Sequence, residues 1–137
     1  MMFFDHIGLF VADLTAGRQQ LSALLPIHKF SGPVDDPGLK VRIQFATDSS
    51  GIRYELVAPF GDGNPVSAVL AAGKNILNHV AYRTTDLDVE IERLRNEGAI
   101  PLGPPAPAVA FKGARVIFLL TPLGFIIELI ETTGGTD

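Results

Sequence analysis

Residues 5–14 read DHIGLFVADL, and residues 78–87 read NHVAYRTTDL. They align without a gap at an offset of 73 residues, the separation of His6 from His79. The same offset pairs Asp13 with Asp86, Leu14 with Leu87 and Leu21 with Leu94. It continues through Arg42 with Arg115, Phe45 with Phe118 and Gly51 with Gly124. It ends on Glu55-Leu56-Val57 against Glu128-Leu129-Ile130. One constant offset through so many identities marks a duplicated module. Two copies fall short of the three or more that a solenoid needs, so the reading is one pseudo-twofold domain built from two halves.

Each half reads strand, helix, then further strands. Residues 3–11 alternate, with Phe3, Ile7, Leu9 and Val11 on one face and Phe4, His6, Gly8 and Phe10 on the other. Asp13 then caps a helix carrying Leu14, Leu21, Leu24 and Leu25, with Gly17 as its weak point. In the second half Asp86 caps a helix with Leu87, Ile91 and Leu94 on one stripe, and Gly98 ends it. Residues 40–47 and 53–57 form one strand pair, and residues 114–120 and 125–130 the other. Residues 48–51 and 121–124 are turn-like, and short strands are expected near 28–30 and 100–102. The module is therefore β-α-β-β-β, twice, an α+β fold.

Module one spans about residues 1–62 and module two about 74–131, within a single domain over 1–131. A linker helix at about 64–73 joins them, with Asn64 as its cap, Pro65 at its first position and Gly73 just past its end. The tail TTGGTD at 132–137 is expected to be flexible.

Composition narrows the function. A chain of 137 residues is near the usual size of one domain, and 47% hydrophobic residues suffice for a core. Eleven Lys+Arg against fifteen Asp+Glu give a net charge of −4, against the basic excess of a nucleic-acid binder. No cysteine is present, which excludes disulfides, thiolate metal sites and a cysteine nucleophile. The apolar residues 1–4 lack a basic region before them and meet Asp5 and His6 at once, unlike an export signal. No apolar run approaches the ~18 residues of a membrane span. The expected compartment is the cytoplasm, with no membrane partner.

His6, Glu55, His79 and Glu128 are two histidines and two carboxylates, each pair related by the duplication. All four interrupt apolar strands, on the face opposite the expected helix-packing side. Burying a lone carboxylate is costly, but four such groups explain one another around a cation. Imidazole nitrogen and carboxylate oxygen suit Zn, Co, Ni, Mn or Fe as divalent ions. A set with coordination positions left for water or substrate is of the catalytic type. His28 has no repeat partner, since position 101 is Pro, and reads as a rim histidine.

Arg42 and Arg115 are repeat partners that strand parity places on the ligand side with Gln44, and Arg83 shares a face with His79. They are candidates for binding a substrate carboxylate or phosphate; the competing reading has the arginines paired with the glutamates or reaching solvent. Phe4, Phe10, Phe111 and Leu119 are either pocket lining or core. The Pro-rich loop at residues 103–113 either edges a cleft or merely connects strands.

From FDHIGLFVADL and RYELVAP through NHVAYRTTDLDVEIERLRNEGA to GFIIELIE, the chain resembles the vicinal-oxygen-chelate superfamily, the glyoxalase, bleomycin-resistance and dioxygenase group. Within it the chain is most similar to methylmalonyl-CoA epimerases and glyoxalase I-like proteins. The resemblance implies paired βαβββ modules forming an open, eight-stranded, barrel-like sheet around a metal. Its ligand positions fall on His6, Glu55, His79 and Glu128. It also implies a homodimer.

The implied activity is a metal-dependent isomerase or epimerase, or a lactoylglutathione lyase, taking the proton alpha to a carbonyl and stabilising an enediolate. The substrate is then a small carbonyl compound, as a CoA thioester or a glutathione adduct. Glu128 and Glu55 are the candidate bases. Some epimerases carry an additional carboxylate on the strand that reads KVRIQFAT here, and this stretch has no acid. Three other readings stay open: a thiol transferase, an Fe(II) dioxygenase using His6, His79 and Glu128, and a ligand-sequestering protein similar to bleomycin-resistance proteins. Glu55 counts against the dioxygenase, because a fourth ligand leaves fewer positions for oxygen. The intact quartet counts against the pure binder.

Overall fold

A computed structural model describes residues 1–74 and 76–133. The chain is α+β, with ten strands in an open sheet and three α-helices among the described residues. It divides into two compact units, residues 6–78 and residues 1–5 with 79–137. Residues 134–137 of the expected tail lie outside the described residues.

In the unit of residues 6–78, the strand order is β2 (Ile27–Phe30), β4 (Val41–Asp48), β5 (Arg53–Pro59), β1 (Met2–Phe10). β1 and β5 run parallel with Gly8 opposite Glu55, while β4 and β5 run antiparallel with Phe45 opposite Glu55. Helix α1 (Leu14–Leu24) covers one face, where Leu21, Ala46 and Leu56 are buried together and Leu9, Val11 and Leu25 pack around them. Strand alternation then puts Glu55 and Phe45 on the other face. Asp13 caps α1 as expected, its Oδ1 accepting the Ala16 N–H at 2.8 Å.

Gly17, the weak point of this helix on propensity, has a packing reason. A Cβ there would lie 2.9 Å from Val11 Cγ1 and 3.1 Å from Val11 Cβ. The glycine lets α1 settle against the chain leaving β1. Helix α2 (Val66–Ala72) forms where the sequence places a linker helix, and it lies within the unit of residues 6–78. Asn64 Oδ1 accepts from Val66 N and Ser67 N at 2.9 Å each, and Gly73 closes the helix with φ 67°. Pro65 stands one residue before the helix proper, not at its first position.

In the other unit the order is β6 (Leu77–Thr84), β10 (Ile126–Glu131), β9 (Ala114–Leu120), β7 (Ile100–Pro101). β10 is parallel to β6 and antiparallel to β9, so Glu128 stands opposite Ala81 on one side and Phe118 on the other. Helix α3 (Leu87–Asn96) buries Leu87 and Leu94 against Ile117, Leu119 and Leu129. Each such leucine removed from water contributes about 1.5–3 kcal/mol. Asp86 occupies the N-cap position without a side-chain capping bond, contrary to the sequence expectation. Its own N–H is instead held by Thr84 Oγ1 at 3.1 Å, and its carbonyl accepts from Glu90 N.

Sequence patterning predicts eight strands, and the described residues form ten. The two additions are β3 (Val34–Asp36) on β4 and β8 (Ala106–Ala108) on β9. Both are three-residue edge segments beside Pro-containing loops, too short for an alternation signal. The loop at residues 103–113 thus contains β8 and a 3₁₀ turn at Val109–Phe111.

Candidate metal centre

His6 is fully buried on β1, and Glu55 is buried on β5. The parallel register brings them onto one face, with His6 Nε2 3.4 Å from Glu55 Oε1. Phe45, opposite Glu55 on β4, meets the His6 ring edge-on at a centroid distance of 5.4 Å and 74°. In the other unit, His79 on β6 and Glu128 on β10 are also buried, with His79 Nε2 3.2 Å from Glu128 Oε1. Phe118, opposite Glu128, meets the His79 ring at 5.4 Å and 77°.

The duplication is therefore repeated at the level of side-chain contacts. Each unit builds an imidazole–carboxylate pair in an apolar setting, braced by a phenylalanine. An ionised carboxylate out of water needs a positive partner or strong hydrogen bonds. His6, Glu55, His79 and Glu128 are buried donors able to hold a metal ion. Their chemistry, neutral nitrogen plus anionic oxygen, fits a divalent cation.

The expected face of Arg42, Gln44 and Arg115 is corrected. Gln44 stands opposite Leu56 and belongs to the α1 side of β4, where its Nε2 donates to the Ser31 carbonyl at 2.7 Å. Arg42 has the same parity, pairs with Asp35 across the β3–β4 ladder and is exposed, with its guanidinium over Phe60. Arg115 lies on the Leu129 side of its sheet, bidentate to Glu131 at 3.0 and 2.7 Å, with Asp88 of α3 at 3.6 Å. This pairing pushes Arg115 up and holds the Glu131 carboxyl below its ordinary range. Arg83 keeps the parity of His79 and lies 3.3 Å from Asp5 Oδ1.

The remaining residues fall as follows. Leu119 is core, and Phe4 packs edge-on against Tyr82 at 5.7 Å. Phe10 is buried, Phe111 half-buried and His28 exposed. Sequence reasoning recorded Phe45 and Phe118 as repeat partners without giving them a place at the histidines. Their sequence signal was the shared repeat offset alone; that each stands opposite a repeated glutamate is decided by strand register. Arg53 was also missed; its guanidinium lies 4.2 Å above the Phe45 ring.

Comparison with known proteins agrees with this architecture. Residues 5–118 match the family model for the Glyoxalase/Bleomycin resistance protein/Dioxygenase superfamily. An ethylmalonyl-CoA/methylmalonyl-CoA epimerase from Cereibacter sphaeroides is 30% identical over 119 residues, covering 84% of this chain and 85% of that protein. A hypothetical protein from Bacillus halodurans C-125 shares the fold with a TM-score of 0.81 at 22% identity, over 99% of this chain and 98% of that one. A variant of Streptomyces coelicolor methylmalonyl-CoA epimerase, solved with 2-nitronate-propionyl-CoA, gives a TM-score of 0.73 at 25% identity, over 96% and 97% of the two chains.

Proposed function

Because the chain belongs to the glyoxalase/bleomycin resistance protein/dioxygenase superfamily, we propose that its two His–Glu pairs share one divalent cation in a carbonyl isomerase or epimerase. The observation that carries this reading is the duplicated pair itself, buried and nearly identical in both units at 3.4 and 3.2 Å. His6, Glu55, His79 and Glu128 would hold the ion. When bound, it supplies Lewis-acid polarisation of a substrate carbonyl.

The chain's own groups account for the proton. On β4 the residues sharing the Glu55 face are Val41, Ile43, Phe45 and Thr47, none of them acidic. The base is therefore Glu55 or Glu128, taking the proton alpha to the carbonyl onto a carboxylate oxygen. Return to the opposite face of the same carbon is epimerisation. Return to the neighbouring carbon is the glyoxalase-type isomerisation. Phe45 and Phe118 keep the imidazoles oriented and exclude water from them. Arg83, on the His79 face, is the arginine retained as a substrate-binding candidate.

The relatives that act on ethylmalonyl-CoA and methylmalonyl-CoA favour a CoA thioester as substrate. A homodimer, carried over from the family resemblance, and the cytoplasmic location expected from the sequence belong to the same proposal, and sedimentation equilibrium tests the dimer. The main experiment is metal analysis of the purified protein, then solvent-deuterium exchange into methylmalonyl-CoA and into the methylglyoxal–glutathione adduct. Exchange into the first alone supports an epimerase. Bound metal with exchange into neither substrate would refute the isomerase reading.

A further inference from the structure

Arg53 breaks the symmetry of the two His–Glu pairs. It stands two residues before Glu55 on β5 and so shares its face. Its guanidinium stacks 4.2 Å above Phe45, the ring that meets His6 at 5.4 Å. Its repeat partner at the same 73-residue offset is Ile126, in register beside His79. The second unit therefore forms the same His–Phe and His–Glu contacts with an alkyl group in that position. The cation is thus not required to build the pair. It is an addition to one half, on the face that carries the ligands.

We propose that Arg53 is a specificity-determining residue that receives a carboxylate of the substrate at the His6–Glu55 half of the site. This rests on the reading of that site as a substrate-facing metal centre. Stacking on Phe45 uses the flat face of the guanidinium and fixes its plane. Carboxylates are recognised along the edge of that plane, through parallel N–H donors. The residue is partly exposed, and its Nε is buried. Its Nε–H therefore sits in a setting of reduced dielectric, where a charged hydrogen bond is stronger than in water. Ile126 offers the corresponding place in the other half to an apolar group.

The test compares two small probes that differ by one charge. Monomethyl malonate carries one carboxylate, and dimethyl malonate carries none. Each is titrated into the wild type, Arg53→Ile and Arg53→Lys, while NMR follows the Arg53 Nε–H resonance and the backbone amides. Metal content is measured in every sample, and the series is repeated after metal removal. The expected result is a shift of the Arg53 resonance by monomethyl malonate alone. Arg53→Ile should weaken that probe by roughly tenfold or more, Arg53→Lys should recover part of the loss, and the neutral diester should be indifferent to both. Equal binding of monomethyl malonate to the wild type and Arg53→Ile, or no shift at Arg53, would overturn the proposal. An absence of metal from the wild type counts against the metal centre instead, and the Arg53 shift is then read from the metal-free series.

Discussion

Replacing Gly17 by alanine should destabilise the protein, although it puts a better helix former in the middle of a helix. In an exposed helix interior, Gly→Ala gains about 1 kcal/mol. Here the new methyl would lie 2.9 Å from Val11 Cγ1, 3.1 Å from Val11 Cβ and 3.1 Å from Val11 Cγ2. Valine is stiff about χ1, so its two methyls cannot both swing clear of the new one, and α1 must shift from the chain leaving β1. Overpacking of this kind costs about 1–3 kcal/mol. The net expectation is a loss on the order of 1 kcal/mol, or roughly 3–5 °C in Tm for a chain of this size.

The control is the same change in a Val11→Ala background. Two of the three close atoms are then gone, and only the Cβ contact at 3.1 Å remains. Gly17→Ala should there be neutral or stabilising, by up to about 1 kcal/mol. The sign change is the signature of a direct steric contact. Urea unfolding followed by circular dichroism at 222 nm reads all four proteins of the cycle. A Gly17→Ala variant more stable than the wild type, or one equally destabilised in both backgrounds, would refute the close-approach explanation.

Further outcomes test the site and the caps. A divalent ion at 100 times its Kd should stabilise the wild type by about 2.7 kcal/mol; if Glu128→Ala or Glu55→Ala weakens binding ~100-fold, the same concentration adds only about 0.4 kcal/mol. Thermal unfolding with and without zinc checks this, and an undiminished metal-induced shift would remove that glutamate from the ligand set. Asp13→Ala should cost about 1 kcal/mol through the lost cap on α1, whereas Asp86→Ala should cost clearly less, because Asp86 makes no side-chain capping bond; equal losses in urea would contradict the difference. Acidification should weaken the fold through Glu131 and Glu90, whose carboxyls are held below 4.5 by Arg115 and Arg93. Their contribution is fully present above the ordinary value and is lost as pH falls through the lower folded value. Arg115→Gln and Arg93→Gln should flatten that acid limb in stability measured between about pH 5 and pH 2.5, and an unchanged limb would deny the two pairs their role.

The duplication was fully legible in the sequence, because identities at a constant offset need no knowledge of packing. The α+β character, the helix stripes and the four repeated His and Glu residues followed from periodicity and chemistry along the chain. What the chain could not declare alone was which neighbours each strand would have. Side chains alternate every residue along a strand, so an error of one position exchanges the two faces. Arg42, Gln44 and Arg115 were read onto the wrong face for that reason, and the pairing of Gln44 with Leu56 decides the matter. The bracing of His6 and His79 by Phe45 and Phe118, and the place of Arg53 above Phe45, likewise arise from cross-strand register. Local sequence set which residues were available; hydrogen-bonded pairing between distant strands determined which of them met.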